Sequence, residues 1–138
     1  MSDEVFRWSK ELETGIASID EQHKKLFSIA NDFYIAMKEG KGREKIKEVV
    51  KELLDYSRYH FATEEKYFKK YNYPEFESHK KEHDFFVKKV EEIYNELKEG
   101  KTISVTIATY NFLVNWVKNH IMGTDMKYKD FLLSRGVK

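Results

Sequence analysis

The sequence predicts an all-α protein: an up-down-up-down antiparallel four-helix bundle with an irregular N-terminal arm and a short C-terminal helical segment. Three observations carry that prediction. Apolar residues recur at i, i+3, i+4 and i+7 through four long segments, the period of a helix with one buried face. Breaks are few: Gly40 and Gly42, the run YNYP at 71–74, and Gly100. The connections they leave are short, and short turns between long helices make neighbours antiparallel. At 138 residues, with no linker, repeat or low-complexity stretch, residues 1–138 read as a single domain.

Residues 1–17 read as the arm, with Phe6 and Trp8 as its anchors on the bundle. The first helix spans 18–39, where Ser18 and Glu21 have the spacing of a capping box. Its apolar stripe is Ile19, Leu26, Phe27, Ala30, Phe33 and Met37, with His23 on the same face. The second helix, 43–71, turns Ile46, Val49, Val50, Leu53, Tyr56, His60, Glu64 and Phe68 inward. The third, 74–99, places Pro74 in its first turn, where a missing N–H costs nothing. It carries Phe76, His79, His83, Phe86, Val90 and Leu97 inward and ends at Gly100. The fourth, 102–121, opens on the β-branched run TISVTIAT, which propensity alone assigns to a strand. Its apolar spacing continues unbroken through Ile103, Ile107, Tyr110, Leu113, Trp116, Val117, His120 and Ile121, so a helix is the better reading.

Composition excludes several function classes. With 25 basic and 24 acidic residues the formal charge is +1, and lysines alternate with glutamates as in EKIKEVVKELL. That is a solvated helix face, not the basic surface that nucleic acid requires. No apolar run approaches the ~20 residues of a membrane span, and the first ten residues are not a secretory signal. A cytoplasmic protein without membrane insertion is the expectation. The absence of cysteine removes disulfides, thiolate zinc sites and cysteine-ligated clusters, so any metal must be held by nitrogen and oxygen.

The five histidines then become the feature to follow. His23 and His60 lie 18 and 19 residues from the break at 41. Glu64 and His79 lie 8 and 7 from the break at 72, and His83 and His120 lie 17 and 20 from Gly100. At about 1.5 Å per residue these heights agree within roughly 5 Å. His60 and Glu64 are i,i+4, as are His79 and His83, so each pair projects from one helix face. His120 and Asp125 are i,i+5, which an ideal helix splays by about 140°. Gly123 between them makes a helix end or distortion the natural way to swing Asp125 inward. A single histidine on an apolar stripe is more often a hydrogen-bonded core residue than a ligand. Five on four helices, all inward and all level, are better explained by a metal site. Seven ligands are too many for one ion; two ions bridged by Glu64 and Asp125 account for all of them, and the nitrogen-rich set favours iron.

These residues resemble the hemerythrin family, and specifically its bacterial single-domain members. WSKELETGIASIDEQHKKLF (8–27) is similar to the family's arm and first ligand helix. HFATEE (60–65) fits its H-x-x-x-E motif, YPEFESHKKEH (73–83) its H-x-x-x-H motif, and WVKNHIMGTD (116–125) its H-x-x-x-x-D motif. Phe68 departs from the methionine of many relatives. The resemblance implies a non-heme di-iron site (Fe2+/Fe3+) with an oxo or hydroxo bridge. His79, His83 and His120 complete one iron; His23 and His60 bind the other, which keeps one open position; Glu64 and Asp125 bridge the two. It also implies that dioxygen binds reversibly at the open iron, in a pocket of Leu26, Phe61, Trp116, Val117 and Ile121. The expected role is therefore oxygen transport, storage or delivery, not enzymatic turnover, and the sequence names no protein that receives the oxygen. The alternatives are oxygen or redox sensing through the same site, and a di-iron enzyme acting on peroxide or nitric oxide.

Overall fold

Apolar stripes on four segments can be buried together only if the segments pack around a common axis, and that is the arrangement adopted. The computed structural model describes residues 6–40, 43–100 and 103–138. Helix α1 spans Ala17–Lys38, α2 Arg43–Tyr71, α3 Phe76–Lys98 and α4 Ile103–Trp116. A π-helical segment, Val117–Thr124, continues α4 and leads into two short helices, α5 (Asp125–Lys127) and α6 (Lys129–Ser134). Helix α1 packs on α2, α2 on α3, and α4 closes the ring against α1 and α3. No described helix is long and apolar enough to cross a membrane.

The turns have local causes. Gly40 and Gly100, at φ 65° and 96°, close α1 and α3 in the left-handed conformation that spares a side chain its clash. Asn72 plays the same part after α2 at φ 55°. Pro74 stands before α3 instead of in its first turn. The N–H of Phe76 donates to the Tyr73 carbonyl at 3.2 Å, so Pro74 lies in a turn and the helix starts two residues later than the sequence suggests. Gly42 and Thr102 lie outside the described residues, as do residues 1–5 of the arm.

Two further expectations are corrected. Ser18 does not cap α1, which begins at Ala17 without a side-chain cap. The Ser18 hydroxyl instead meets the Tyr67 hydroxyl at 3.0 Å. Asp20 takes over the entry by reaching back to accept from the Thr14 and Gly15 backbone N–H groups at 2.8 and 3.2 Å. Ile107 is 57% exposed, although its spacing assigns it to the core. Helix α4 is apolar almost all round, so periodicity there does not choose a face, and among its described side chains Thr109 and Leu113 are the buried ones. The side chain of Ile103 lies outside the described residues.

The core is built in two compartments. One contains Phe27, Phe33, Val49, Leu53, Phe86, Val90, Leu97 and Leu113. The other contains Ile16, Ile19, Phe68, Tyr73, Tyr128, Leu132 and Val137. The buried histidines, with Glu64 and Asp125, lie about the boundary between the two, so a polar layer divides the bundle across its axis. The arm is fastened to the first compartment. Phe6 is 5% exposed, its N–H donates to Asn31 Oδ1 at 2.9 Å, and its carbonyl accepts from Asn31 Nδ2 at 2.8 Å. Trp8 packs edge-on against Phe27 at 5.5 Å between centroids.

Candidate metal centre

Each side chain of the polar layer is delivered by helix geometry. His23 comes from α1, His60 and Glu64 from successive turns of α2, and His79 and His83 from successive turns of α3. His120 and Asp125 face each other because the backbone between them is wound as a π-helix, the Asp125 N–H reaching back to the His120 carbonyl. An i→i+5 ladder brings onto one side two residues that an α-helix sets apart, and such segments recur at functional sites. All seven side chains are at most 2% exposed.

They converge closely. Asp125 Oδ1 lies 2.9 Å from both His79 Nε2 and His120 Nε2, and Oδ2 lies 3.1 Å from His23 Nε2. Glu64 Oε1 lies 3.1 Å from His83 Nε2 and 3.4 Å from His60 Nε2, while Oε2 lies 3.7 Å from His23 Nε2. These approaches lack hydrogen-bond alignment: the Nε2 atoms of all five histidines, Glu64 Oε1 and both Asp125 oxygens are buried without a hydrogen-bond partner. Buried polar atoms left so are unfavourable unless something between them completes their bonding, and a cation does so for imidazole nitrogens and carboxylate oxygens alike. Two groups of donor atoms, each within 4.8 Å of one another, meet that need: Glu64, His79, His83, His120 and Asp125; and His23, His60, Glu64 and Asp125. The cluster can bind metal.

A further layer aims the rings. Gln22 Oε1 accepts from His60 Nδ1 at 2.8 Å, Glu65 Oε2 from His83 Nδ1 at 2.9 Å, and Glu82 Oε1 from His120 Nδ1 at 2.7 Å. With the proton fixed on Nδ1, each Nε2 lone pair points into the cluster, as metal-binding histidines require. The Tyr128 hydroxyl donates to Glu64 Oε2 from the opposite compartment. Gln22, Glu65, Glu82 and Tyr128 escaped the sequence reading. The first three are sequence neighbours of His23, Glu64 and His83, and that adjacency is the only signal they gave.

Electrostatics hold the carboxylates ready. Burial opposes ionisation of Glu64, yet the neighbouring histidines, His60 foremost, hold its pKa well below the ordinary carboxylate value. Asp125 is likewise held well below, burial and Glu64 being outweighed by His120 and His23. Burial lowers the His23 pKa, but Asp125 and Glu64 override it and push it up to about 10. His79 is raised to about 9 by the same opposition. His60, further from Asp125 and dominated by burial, falls to about 3.

Aromatic rings wall the cluster. Phe61 stacks on His83 at 3.9 Å and Trp116 on His120 at 4.0 Å. Beyond them lies a small pocket of about 20 Å³ whose lining includes Leu26, Phe61, Trp116, Val117 and Ile121, the five residues the sequence grouped together. On the other side, Phe68 is fully buried against His79 and Tyr128 at 4.8 and 5.1 Å.

Comparison with known proteins agrees with this geometry. The family model described as the hemerythrin HHE cation binding domain matches residues 14–132. The chain belongs to the hemerythrin family. Among relatives in that family, a bacteriohemerythrin of Clostridium acetobutylicum is 36% identical over 129 residues, covering 91% of this chain and 100% of the relative. A bacteriohemerythrin of Stenotrophomonas maltophilia is 35% identical, covering 89% of this chain and 78% of the relative. A solved wild-type hemerythrin structure superposes with a TM-score of 0.82 at 29% identity, covering 93% of this chain and 98% of that one. Family membership and fold thus rest on nearly the whole chain.

Proposed function

We propose that the clustered side chains hold two iron ions and that the protein binds dioxygen reversibly, for transport, storage or delivery. The observation that carries this reading is the overlap of the two donor groups. Both contain Glu64 and Asp125, while one has three histidines and the other two. His79, His83 and His120 would join the two carboxylates in holding one ion, and a solvent-derived oxo or hydroxo group would complete the pair. His23 and His60 would join the same carboxylates in holding the other ion, which would have one protein donor fewer and so a position for a small molecule. When bound, the iron pair supplies the electrons that reversible association with dioxygen needs.

The chain's own residues provide the rest. Glu64 and Asp125, ionised by their surroundings, balance part of the cationic charge and tie the four helices to one point. Gln22, Glu65 and Glu82 fix the imidazole tautomers. Leu26, Phe61, Trp116, Val117 and Ile121 exclude bulk water and present no carboxylic acid that could donate a proton to a bound ligand. Five neutral ligands with two carboxylates also stabilise highly oxidised iron less than a carboxylate-rich set does, which favours carriage over oxygenation.

The test is to load the protein with ferrous iron anaerobically, admit air, then remove oxygen while following the visible spectrum and the iron content. Two irons per chain and an absorption band that comes and goes over repeated cycles support the carrier. Immediate irreversible oxidation refutes it and favours sensing or turnover of peroxide or nitric oxide. Sensing has one observation of its own: Trp8 of the arm lies 6.3 Å from the His23 ring, so a change at that ligand reaches the surface arm directly.

A further inference from the structure

Glu64 and Asp125 belong to both donor groups, so they give neither group a preference over the other. Any difference comes from the histidines and from what stands behind them. In the group with three histidines, two rings are backed by carboxylates: Glu65 accepts from His83 Nδ1 at 2.9 Å and Glu82 from His120 Nδ1 at 2.7 Å. In the group with two, His60 Nδ1 donates to the neutral amide oxygen of Gln22 at 2.8 Å, and His23 Nδ1 is buried without a hydrogen-bond partner. The two carboxylate-backed rings are also held flat against aromatic neighbours, His83 against Phe61 at 3.9 Å and 8°, and His120 against Trp116 at 4.0 Å and 15°. His23 and His60 instead meet each other edge-on at 4.6 Å.

Both features act on a cation. A carboxylate that accepts from Nδ1–H draws the proton toward itself and raises the electron density on Nε2, so the imidazole becomes a stronger donor. An amide oxygen does this more weakly, and an unpartnered N–H not at all. A ring already held flat has less freedom to lose on taking up a ligand. Three nitrogens against two favour the first group in any case, and the carboxylates widen the difference. We propose that the two positions are unequal, that a divalent cation fills the position of His79, His83 and His120 first, and that Glu65 and Glu82 are the positioning residues that set this order. The position of His23 and His60 is then the last filled and the first emptied. That there are two positions to order rests on the two-ion reading given above; the preference for His79, His83 and His120 does not.

Anaerobic titration of the metal-free protein with Co2+, followed by visible absorption, tests this together with crystals grown at one Co2+ per chain, in which anomalous scattering locates the ion. In the wild-type protein the first ion should lie among His79, His83 and His120. Glu65→Gln combined with Glu82→Gln keeps an acceptor oxygen on each ring and removes only the charge. It should weaken the first step roughly tenfold to a hundredfold and leave the second nearly unchanged. Gln22→Glu should strengthen the second step roughly tenfold and leave the first as it was. A first ion held by His23 and His60 or divided equally between the positions overturns the proposal. So does a first step unmoved in E65Q/E82Q, a second step unmoved in Q22E, or a loss shared equally by both steps, which is what a merely structural role produces. One ion in total, held by His79, His83 and His120, sinks the two-ion reading and leaves the preference standing; two ions without a preference do the reverse.

Discussion

Replacing Tyr128 by phenylalanine removes one oxygen atom and leaves the ring against Phe68 and His79 at 5.1 and 5.6 Å. The ring is fully buried, and burial and the Glu64 charge hold its phenol well above the ordinary pKa, so it stays protonated and donates to Glu64 Oε2. A hydrogen bond to a charged acceptor is worth about 1.5–3 kcal/mol, and no water can take its place at a carboxylate that is 0% exposed. At roughly 3–5 °C per kcal/mol for a chain of this size, thermal unfolding of Tyr128→Phe should move down by roughly 5–15 °C. The loss should appear in iron-loaded and metal-free protein alike, because the hydroxyl serves the carboxylate in both. Iron should also pass to a competing chelator faster from the variant, since Glu64 is then held by its ligand role alone. Melting temperatures within about 2 °C of each other together with equal chelator kinetics refute the reasoning. In that case Tyr128 is a packing residue whose hydroxyl contributes nothing.

His60→Ala removes one of the two histidines in the smaller donor group and should abolish the reversible absorption band; normal cycling in the variant contradicts the assignment. Leu26→Ala, at a side chain 7% exposed on the pocket wall, should cost about 2–5 kcal/mol of stability and speed irreversible oxidation by admitting water. An unchanged oxidation rate there excludes Leu26 as a barrier. Metal uptake should release protons, because His23 and His79 keep theirs up to about 10 and about 9 in the metal-free protein and must give them up to bind. Apparent affinity therefore rises with pH across the neutral range, and calorimetry in buffers of different ionisation enthalpy reads the release directly; uptake without it breaks the argument. Ile107→Glu, at a position 57% exposed, should shift stability by no more than about 0.5 kcal/mol, and a larger loss places that side chain in a contact the fold does not give it.

Where one helix face is apolar and the other charged, the sequence was enough to place the chain. Val49, Val50, Leu53, Val90 and Leu97 are buried as the i, i+3, i+4 spacing requires, and the histidines share their stripe. Legibility fails where the signal is tertiary. Asp20 reaches back over a bend to tie Thr14 and Gly15, and nothing in the spacing of Ser18 and Glu21 betrays that competition. Gln22, Glu65 and Glu82 look like members of a solvated face until a ring from another helix presents its Nδ1 to them. Ile107 misleads because α4 has apolar residues on every side, which leaves the period without contrast. The i,i+5 spacing of His120 and Asp125 was a local anomaly visible in the sequence. How the backbone absorbs it, over Val117–Thr124 instead of a kink at Gly123, is decided by packing.

That π-helical segment amounts to one residue more than an α-helix needs between His120 and Asp125. Everything after it inherits the shift. Winding the same residues as an ordinary α-helix would leave that extra residue unabsorbed and turn Asp125 by about 100° away from the histidines. The same rotation would carry off Tyr128 and Leu132, both 0% exposed, which plug the second core compartment. One carboxylate and the plug over the bundle's end therefore share a single setting of the chain. A substitution that undid the π winding while keeping the residue would lose the ligand and the seal in one step, so selection for a folded bundle by itself guards part of the metal site.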